Sequence, residues 1–186
     1  MHFHPHTVQI RTTTALGPAR LAASPAGLAG VWFEGQRHEP TLRLHGSGAW
    51  ADAPGHPLLQ EAARQLQQYL RGERAGFDLP LDLAGGTPFQ QDVWRALLAI
   101  ARGATTSYGA LSRQLGRPLA VRAVGAAVGR NPLSVVVPCH RVLGADGSLT
   151  GYAGGLDRKT ALLALESTAV RACYALLRTR VDPRNR

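Results

Sequence analysis

The hydrophobic pattern changes period along the chain. Val8 to Thr14, Arg20 to Ser24 and Leu28 to Phe33 are short β-runs separated by turn material such as SPAG and EG. HPLLQEAARQLQQYLRG then repeats apolar residues at Leu59, Ala62, Leu66 and Tyr69, which predicts one amphipathic helix stopped by Gly72. Glu73 to Gly86 has no helical period and reads as a linker. Strands come first, and a helix follows them.

After the linker the pattern is helical. Thr87 can cap, Pro88 occupies the first helical position and Gln90 completes a T-x-x-Q capping box, while Phe89, Val93, Leu97 and Ile100 form the apolar stripe before Gly103. A short helix carrying Tyr108, Leu111 and Leu115 stops at Gly116, and RPLAVRAVGAAVGRN predicts another from Pro118 to near Gly129. Two short helices across a Gly-Pro turn spell helix-turn-helix. Val121, Val124 and Val128 should point inward; Arg122, Gly125, Ala126 and Gly129 share the opposite face, with Ala123 beside them. Such a face reads little base sequence, but it permits close backbone approach to a minor groove with one projecting Arg as a wedge. Packing against another helix explains the same small residues. LSVVVP is a buried-strand run that Pro138 ends, and LDRKTALLALE is the last helix.

Size and charge sharpen this outline. The 186 residues are 45% hydrophobic, enough for one large or two small domains. Residues 1–84 carry seven Arg and seven acidic residues, so the net charge of +9 lies wholly in residues 85–186. A basic second half points to a polyanion, with nucleic acid ahead of an anionic membrane, although a solvated basic surface gives the same count. No secretory leader or run of about 18 apolar residues is present, so a cytoplasmic protein is expected. His2, His4 and His6 belong to a frayed end and receive no function.

Cys139 and Cys173 are the two cysteines, without CxxC spacing, which argues against a disulfide framework and a zinc ribbon. Cys139 sits in VVVPCHRVLG, on the turn beyond Pro138. A free thiol has a pKa of about 8.5 and needs a base or a positive field to act as a nucleophile. Neighbours in extended chain point apart, so His140 would reach Cys139 through a water. Glu166, among apolar residues of the last helix, could orient that base. By residue type alone, a core cysteine beside a surface histidine fits as well.

NPLSVVVPCHRVLGADGSLTGYAGGLDRKTALLALE, preceded by SYGALSRQLGRPLAVRAVGAAVGR and TPFQQDVWRALLAI, resembles the O6-alkylguanine-DNA alkyltransferases over residues 87–166. PCHRV followed by GYAGG is the specific part. The resemblance implies a two-domain α/β fold. A ribonuclease-H-like sheet-plus-helix domain would span residues 1–80 and a winged helix-turn-helix domain bearing the active site residues 87–168, with a basic tail over 169–186.

The implied activity is direct reversal of DNA damage: one alkyl group passes irreversibly from O6 of guanine, or O4 of thymine, to Cys139. The implied roles are Cys139 as nucleophile, His140 as water-mediated base, Glu166 as its partner and Asn131 as the tie between helix-turn-helix and active-site turn. Tyr108 would crowd the target phosphate and donate toward N3 of guanine, and Arg122 would fill the space of the flipped nucleotide. Ala123, Gly125, Ala126 and Gly129 would face the DNA. Tyr152 would wall the base pocket with Pro138, Ser134 and Ala153, the last two replacing Pro and Ser of some relatives. The carbonyls of Cys139 and Val142 would accept the exocyclic amine. Relatives that bind lesions without repair carry Trp at the nucleophile's position, which Cys139 excludes here. No cofactor or metal is implied. The expected partner is double-stranded DNA containing O6-alkylguanine, bound by a monomer that needs neither membrane nor protein partner. A Cys-His-Glu hydrolase and a non-enzymatic winged-helix regulator are the rival readings, separated by turnover and by the effect of removing Cys139.

Overall fold

The computed structural model describes residues 1–40 and 50–167. Strands β1 (Val8–Thr14), β2 (Gly17–Ser24) and β3 (Gly27–Phe33) form an antiparallel meander, and a two-residue β4 (Ala51–Asp52) lies parallel to β1. The sheet order is β3-β2-β1-β4. Helix α1 (Pro57–Leu70) covers this sheet with Leu59, Ala62, Leu66 and Tyr69, all buried. The apolar spacing therefore delivers the face it predicts.

The second half contains α2 (Pro88–Leu98), β5 (Thr106–Ser107), α3 (Tyr108–Gln114), α4 (Val121–Gly129), a single 3-10 turn (Cys139–Arg141), β6 (Val142–Leu143) and α5 (Leu156–Glu166). Strands β5 and β6 pair in parallel. Thr87 and Gln90 form the expected capping box on α2. Trp94 on the inner face of α2 is fully buried, and its indole Nε1 donates to the Ala127 carbonyl of α4 at 2.9 Å. That bond fixes α4 against α2.

Several expectations are corrected. Residues 133–137 are not a strand: Leu133 makes one bridge to Val31 and the chain then turns. The valines promised β structure, but Pro132 and Pro138 lack N–H groups, and the Asn131 side chain bonds Leu133 N–H and the carbonyls of Leu133 and Val137. Val135 is held at φ 71°, a strained conformation for a β-branched residue. Helix α4 begins at Val121 rather than Pro118, after a turn closed by Ala120 N–H on the Arg117 carbonyl. Val121 is consequently 38% exposed, and Ala127 joins Val124 and Val128 in the core.

The supposed linker is also part of the fold. Leu28 N–H donates to Pro80 O and Asp82 N–H to Leu28 O, both at 2.8 Å, so Pro80–Asp82 lies along the outer edge of β3. Gly27, at φ 151°, permits this approach, because a Cβ there would fall 2.6 Å from the Pro80 oxygen. The N-terminus is not frayed either: Phe3 packs edge-on against Trp32 and Trp50, and His2 N–H donates to Gly85 O at 3.0 Å. Residues 168–186, with Cys173 and the basic tail, lie outside the described residues. Among those described, no helix is long and apolar enough to cross a membrane.

The capping box yields a stability prediction. Thr87→Ala should lower unfolding free energy by about 1 kcal/mol in a denaturant titration, since an orphan helix N–H loses its acceptor. An unchanged midpoint would show that α2 does not depend on its cap.

Candidate active site and nucleic-acid interface

Cys139 opens the 3-10 turn that follows the strained Val135 loop, so its thiol is aimed by backbone on both sides. It is free and 5% exposed. Asn131 Nδ2 lies 3.1 Å from Sγ and 2.8 Å from the Val137 carbonyl, tying the end of α4 to the thiol. Burial pushes the thiol's pKa up, while the Asn131 donor and the Lys159 charge pull the other way. The turn is helical rather than extended, which corrects the premise that Cys139 and His140 point to opposite faces of a strand.

His140 is fully buried. Its Nε2 lies 2.6 Å from Glu166 Oε1. Arg141 Nε donates to Glu166 Oε2 at 2.8 Å, and the Tyr69 hydroxyl donates to Oε1 at 2.5 Å. These donors hold the Glu166 carboxyl well below the usual range despite burial. Burial lowers the pKa of His140, with Glu166 opposing, so the ring is neutral. Beside an ionised Glu166 the proton sits on Nε2, and Nδ1 keeps an acceptor lone pair. Nδ1 is buried and has no partner among the described residues. An oriented, neutral imidazole with one free acceptor is what a general base requires.

The second group of expected residues surrounds a cavity of about 290 Å³. Tyr108, Gly125, Ala126 and Gly129 line one part of it, and Tyr152 and Ala153 another. Ala123 and Arg122 lie on the exposed face of α4. A Cβ at Gly125 would stand 3.7 Å from the Tyr108 ring, an ordinary van der Waals contact, so this ring alone does not demand a glycine there. Tyr108 OH reaches the Gly151 carbonyl at 3.5 Å. Tyr152 joins the cavity to the thiol region, since its ring meets His140 edge-on at 6.4 Å between centroids.

Ser134 and Pro138 do not line this cavity, although Ser134 stands beside Tyr152. Ser134 is buried and donates to Gln36 Oε1 at 3.1 Å. Pro138 lines a different cavity, of about 300 Å³, shared with Tyr69 and Arg141. The carbonyls of Cys139 and Val142 each already accept a protein donor, from Val142 N–H and Lys159 Nζ respectively. A carbonyl has two lone pairs, so each retains one.

Sequence reading missed four contributors. Lys159 is fully buried and donates to the Val142 and Thr150 carbonyls at 2.6 and 2.7 Å, bracing the segment that leads to Tyr152. Its signal was available: Lys159, Leu162 and Glu166 fall at i, i+3 and i+7, the buried face of α5. Arg141 stood in the motif without a role. Tyr69 and the loop bearing Arg37 come from the N-terminal half; Arg37 N–H donates to the Ala153 carbonyl at 2.9 Å, clamping the pocket segment. No local pattern announces such long-range contacts.

With this geometry established, comparison with known proteins assigns the family. The model for the 6-O-methylguanine DNA methyltransferase DNA-binding domain matches residues 88–168, and that for its ribonuclease-like domain matches residues 11–83. The chain belongs to the 6-O-methylguanine DNA methyltransferase family. It is 48% identical to the methylated-DNA--protein-cysteine methyltransferase of Mycobacterium bovis, over 87% of this chain and 93% of that one. The counterpart of the same name in Methanosarcina acetivorans is 44% identical, over 82% and 94%. A crystal structure of Mycobacterium tuberculosis OGT in complex with DNA superposes with a TM-score of 0.75 at 46% identity, covering 88% and 93%. The fold is thus the expected two-domain α/β arrangement.

The buried His140–Glu166 pair predicts acid lability. Below about pH 6.5 the unfolded chain binds a proton on histidine that the buried ring resists, so stability falls as pH drops from there toward the ring's lowered pKa. Glu166 acts in the same direction below about pH 4.3, where only the unfolded carboxyl readily takes a proton. Thermal melts at about pH 7 and about pH 5 should therefore drop less for His140→Gln than for the wild type. Equal drops would mean that His140 does not carry the effect.

Proposed function

We propose that this protein repairs double-stranded DNA by direct reversal, moving an alkyl group from O6 of guanine, or from O4 of thymine, onto Cys139. It acts once per molecule, as a monomer in the cytoplasm. The observation that carries this reading is the buried Glu166–His140 pair, whose Nδ1 has no partner among the described residues, on the residue next to a cysteine whose thiol is held by Asn131. The names of its relatives agree with it, and the DNA complex of the Mycobacterium tuberculosis structure supports a nucleic-acid partner.

The chemistry follows from the residues. O6 lies in the major groove of a duplex, so a protein approaching with the small face of α4 in the minor groove must flip the base. Arg122, exposed on that face and flanked by Ala123, Gly125, Ala126 and Gly129, would fill the vacated stack. The cavity between Tyr108 and Tyr152 would receive the base, with Ala153 and Ser134 shaping its surroundings and the Val142 and Cys139 carbonyls accepting the exocyclic amine. His140 would take the thiol proton through a water, and the thiolate would attack the alkyl carbon. The C–O bond breaks as the S–C bond forms, the electron pair leaves on guanine, and guanine takes up one proton to return as the keto base. Tyr108 would assist at N3 as that charge develops. Proton count is conserved, and the thioether has no route back to a thiol.

Mass spectrometry after mixing with a methylguanine duplex should show one added methyl on Cys139, none on Cys173, and none at all in Cys139→Ala. Multiple turnovers or a methyl elsewhere would overturn the reading.

The wedge role of Arg122 separates flipping from chemistry. Opening a base costs a few kcal/mol, so Arg122→Ala should slow single-turnover repair in a duplex by about ten- to hundredfold. Transfer from a free alkylated guanine base, which needs no unstacking, should change little. Equal losses on both substrates would assign Arg122 to the fold or the thiol instead.

A further inference from the structure

The catalytic carboxylate is held partly from the other domain. Tyr69 lies near the end of α1 in the ribonuclease-like half, 1% exposed. Its hydroxyl gives its only proton to Glu166 Oε1 at 2.5 Å, the same oxygen that His140 Nε2 approaches at 2.6 Å. The hydroxyl oxygen in turn accepts from Arg141 Nη2 at 3.1 Å. The ring is fixed by stacking on Phe77 at 4.9 Å and by the Arg102 guanidinium 5.2 Å from its centroid. A phenol needed only for packing would not require this orientation.

We propose that Tyr69 is a positioning residue for alkyl transfer: by donating to the carboxylate oxygen that orients His140, the N-terminal domain sets the proton affinity of the base serving Cys139. The inference rests on the proposed alkyl transfer. Two donors share one oxygen, so each weakens the other's hold. Without the Tyr69 hydroxyl, Oε1 becomes a stronger acceptor toward Nε2–H, and the imidazole holds a proton more tightly. Burial pushes the Tyr69 phenol up to about 12, with Glu166 adding to it, so it remains a donor throughout the working range.

Among the described residues, the charged and titratable groups facing this relay come from several elements. Arg141 and Cys139 belong to the 3-10 turn, Lys159 to α5, Arg102 to the turn after α2, and Tyr152 meets His140 edge-on. Of these, Arg141 and Lys159 act against a proton on His140, whereas the relay's own Glu166 favours it. Tyr69 moderates the one favourable contribution.

Tyr69→Phe removes the hydroxyl and keeps the stacking ring. Single-turnover alkylation of full-length protein by a methylguanine duplex, followed from about pH 5 to about pH 9, should show the acid limb displaced upward by about half a pH unit or more. A raised imidazole pKa leaves more of the base already protonated at a given acidic pH, hence the direction. An acid limb unmoved from the wild type overturns the inference, whether or not the plateau or melting temperature falls, since lost packing alone changes those. A fluorotyrosine at position 69, a stronger donor, should move the limb the opposite way and gives the answer if Tyr69→Phe does not fold. Wild-type protein that transfers no alkyl group would instead sink the proposed function, so the two failures are distinguishable.

Discussion

A carboxylate buried among apolar side chains must be compensated, and Glu166 is compensated by groups from three parts of the chain. An unpaired buried ion costs several kcal/mol, so the fold closes only where His140, Arg141 and Tyr69 converge on it. This requirement fixes α5, the thiol-bearing turn and the last turn of α1 relative to one another. Gly103 N–H completes the shell at 3.5 Å, bringing the turn after α2 to the same point. The thiol's surroundings are therefore a consequence of charge burial as much as of catalytic need.

The N-terminal domain does more than cover the site. Tyr69 reaches the relay, Gln36 accepts from Ser134, and Arg37 holds Ala153. Strand β3 bonds directly to the loop before Cys139: Val31 N–H donates to Pro132 O at 2.8 Å, and Ser134 N–H to Val31 O at 3.0 Å. The strained Val135 lies next to this anchor. Strain at one residue persists when flanking bonds over-determine it, and here β3 and Asn131 supply them.

Much of this was legible in the sequence where the signal is local. Period and capping chemistry gave α1 and α2, the Gly-Pro turn gave α3 and α4, and PCHRV with GYAGG pointed to the thiol site. Reading failed where distant segments satisfy each other's polar groups. Three valines in a row mean β structure only if their backbone finds a strand partner; here Asn131 and two prolines decide otherwise. Tyr69 looked like another apolar stripe position because its ring is one, and its hydroxyl acquires meaning only from a residue 97 positions away. Lys159 and Glu166 on one face of α5 were a readable anomaly, since two opposite charges rarely flank a leucine on a buried face without partners.

The edge of β3 also bears on how the chain folds. Leu28 and Val31 make their outward hydrogen bonds to residues 80–82 and 132–134, so one strand waits for partners roughly fifty and a hundred positions downstream. Contacts that distant are slow to close, because loop entropy must be overcome before they form. While the chain emerges from the ribosome, the first domain can complete its meander and α1, and residues 80–82 can pair Leu28, but the Val31 part of the β3 edge stays unpaired until residues 132–134 arrive. Such an edge is a template for pairing with another nascent chain. The segment that leads to Cys139 thus also covers a strand edge that would otherwise be open to pairing.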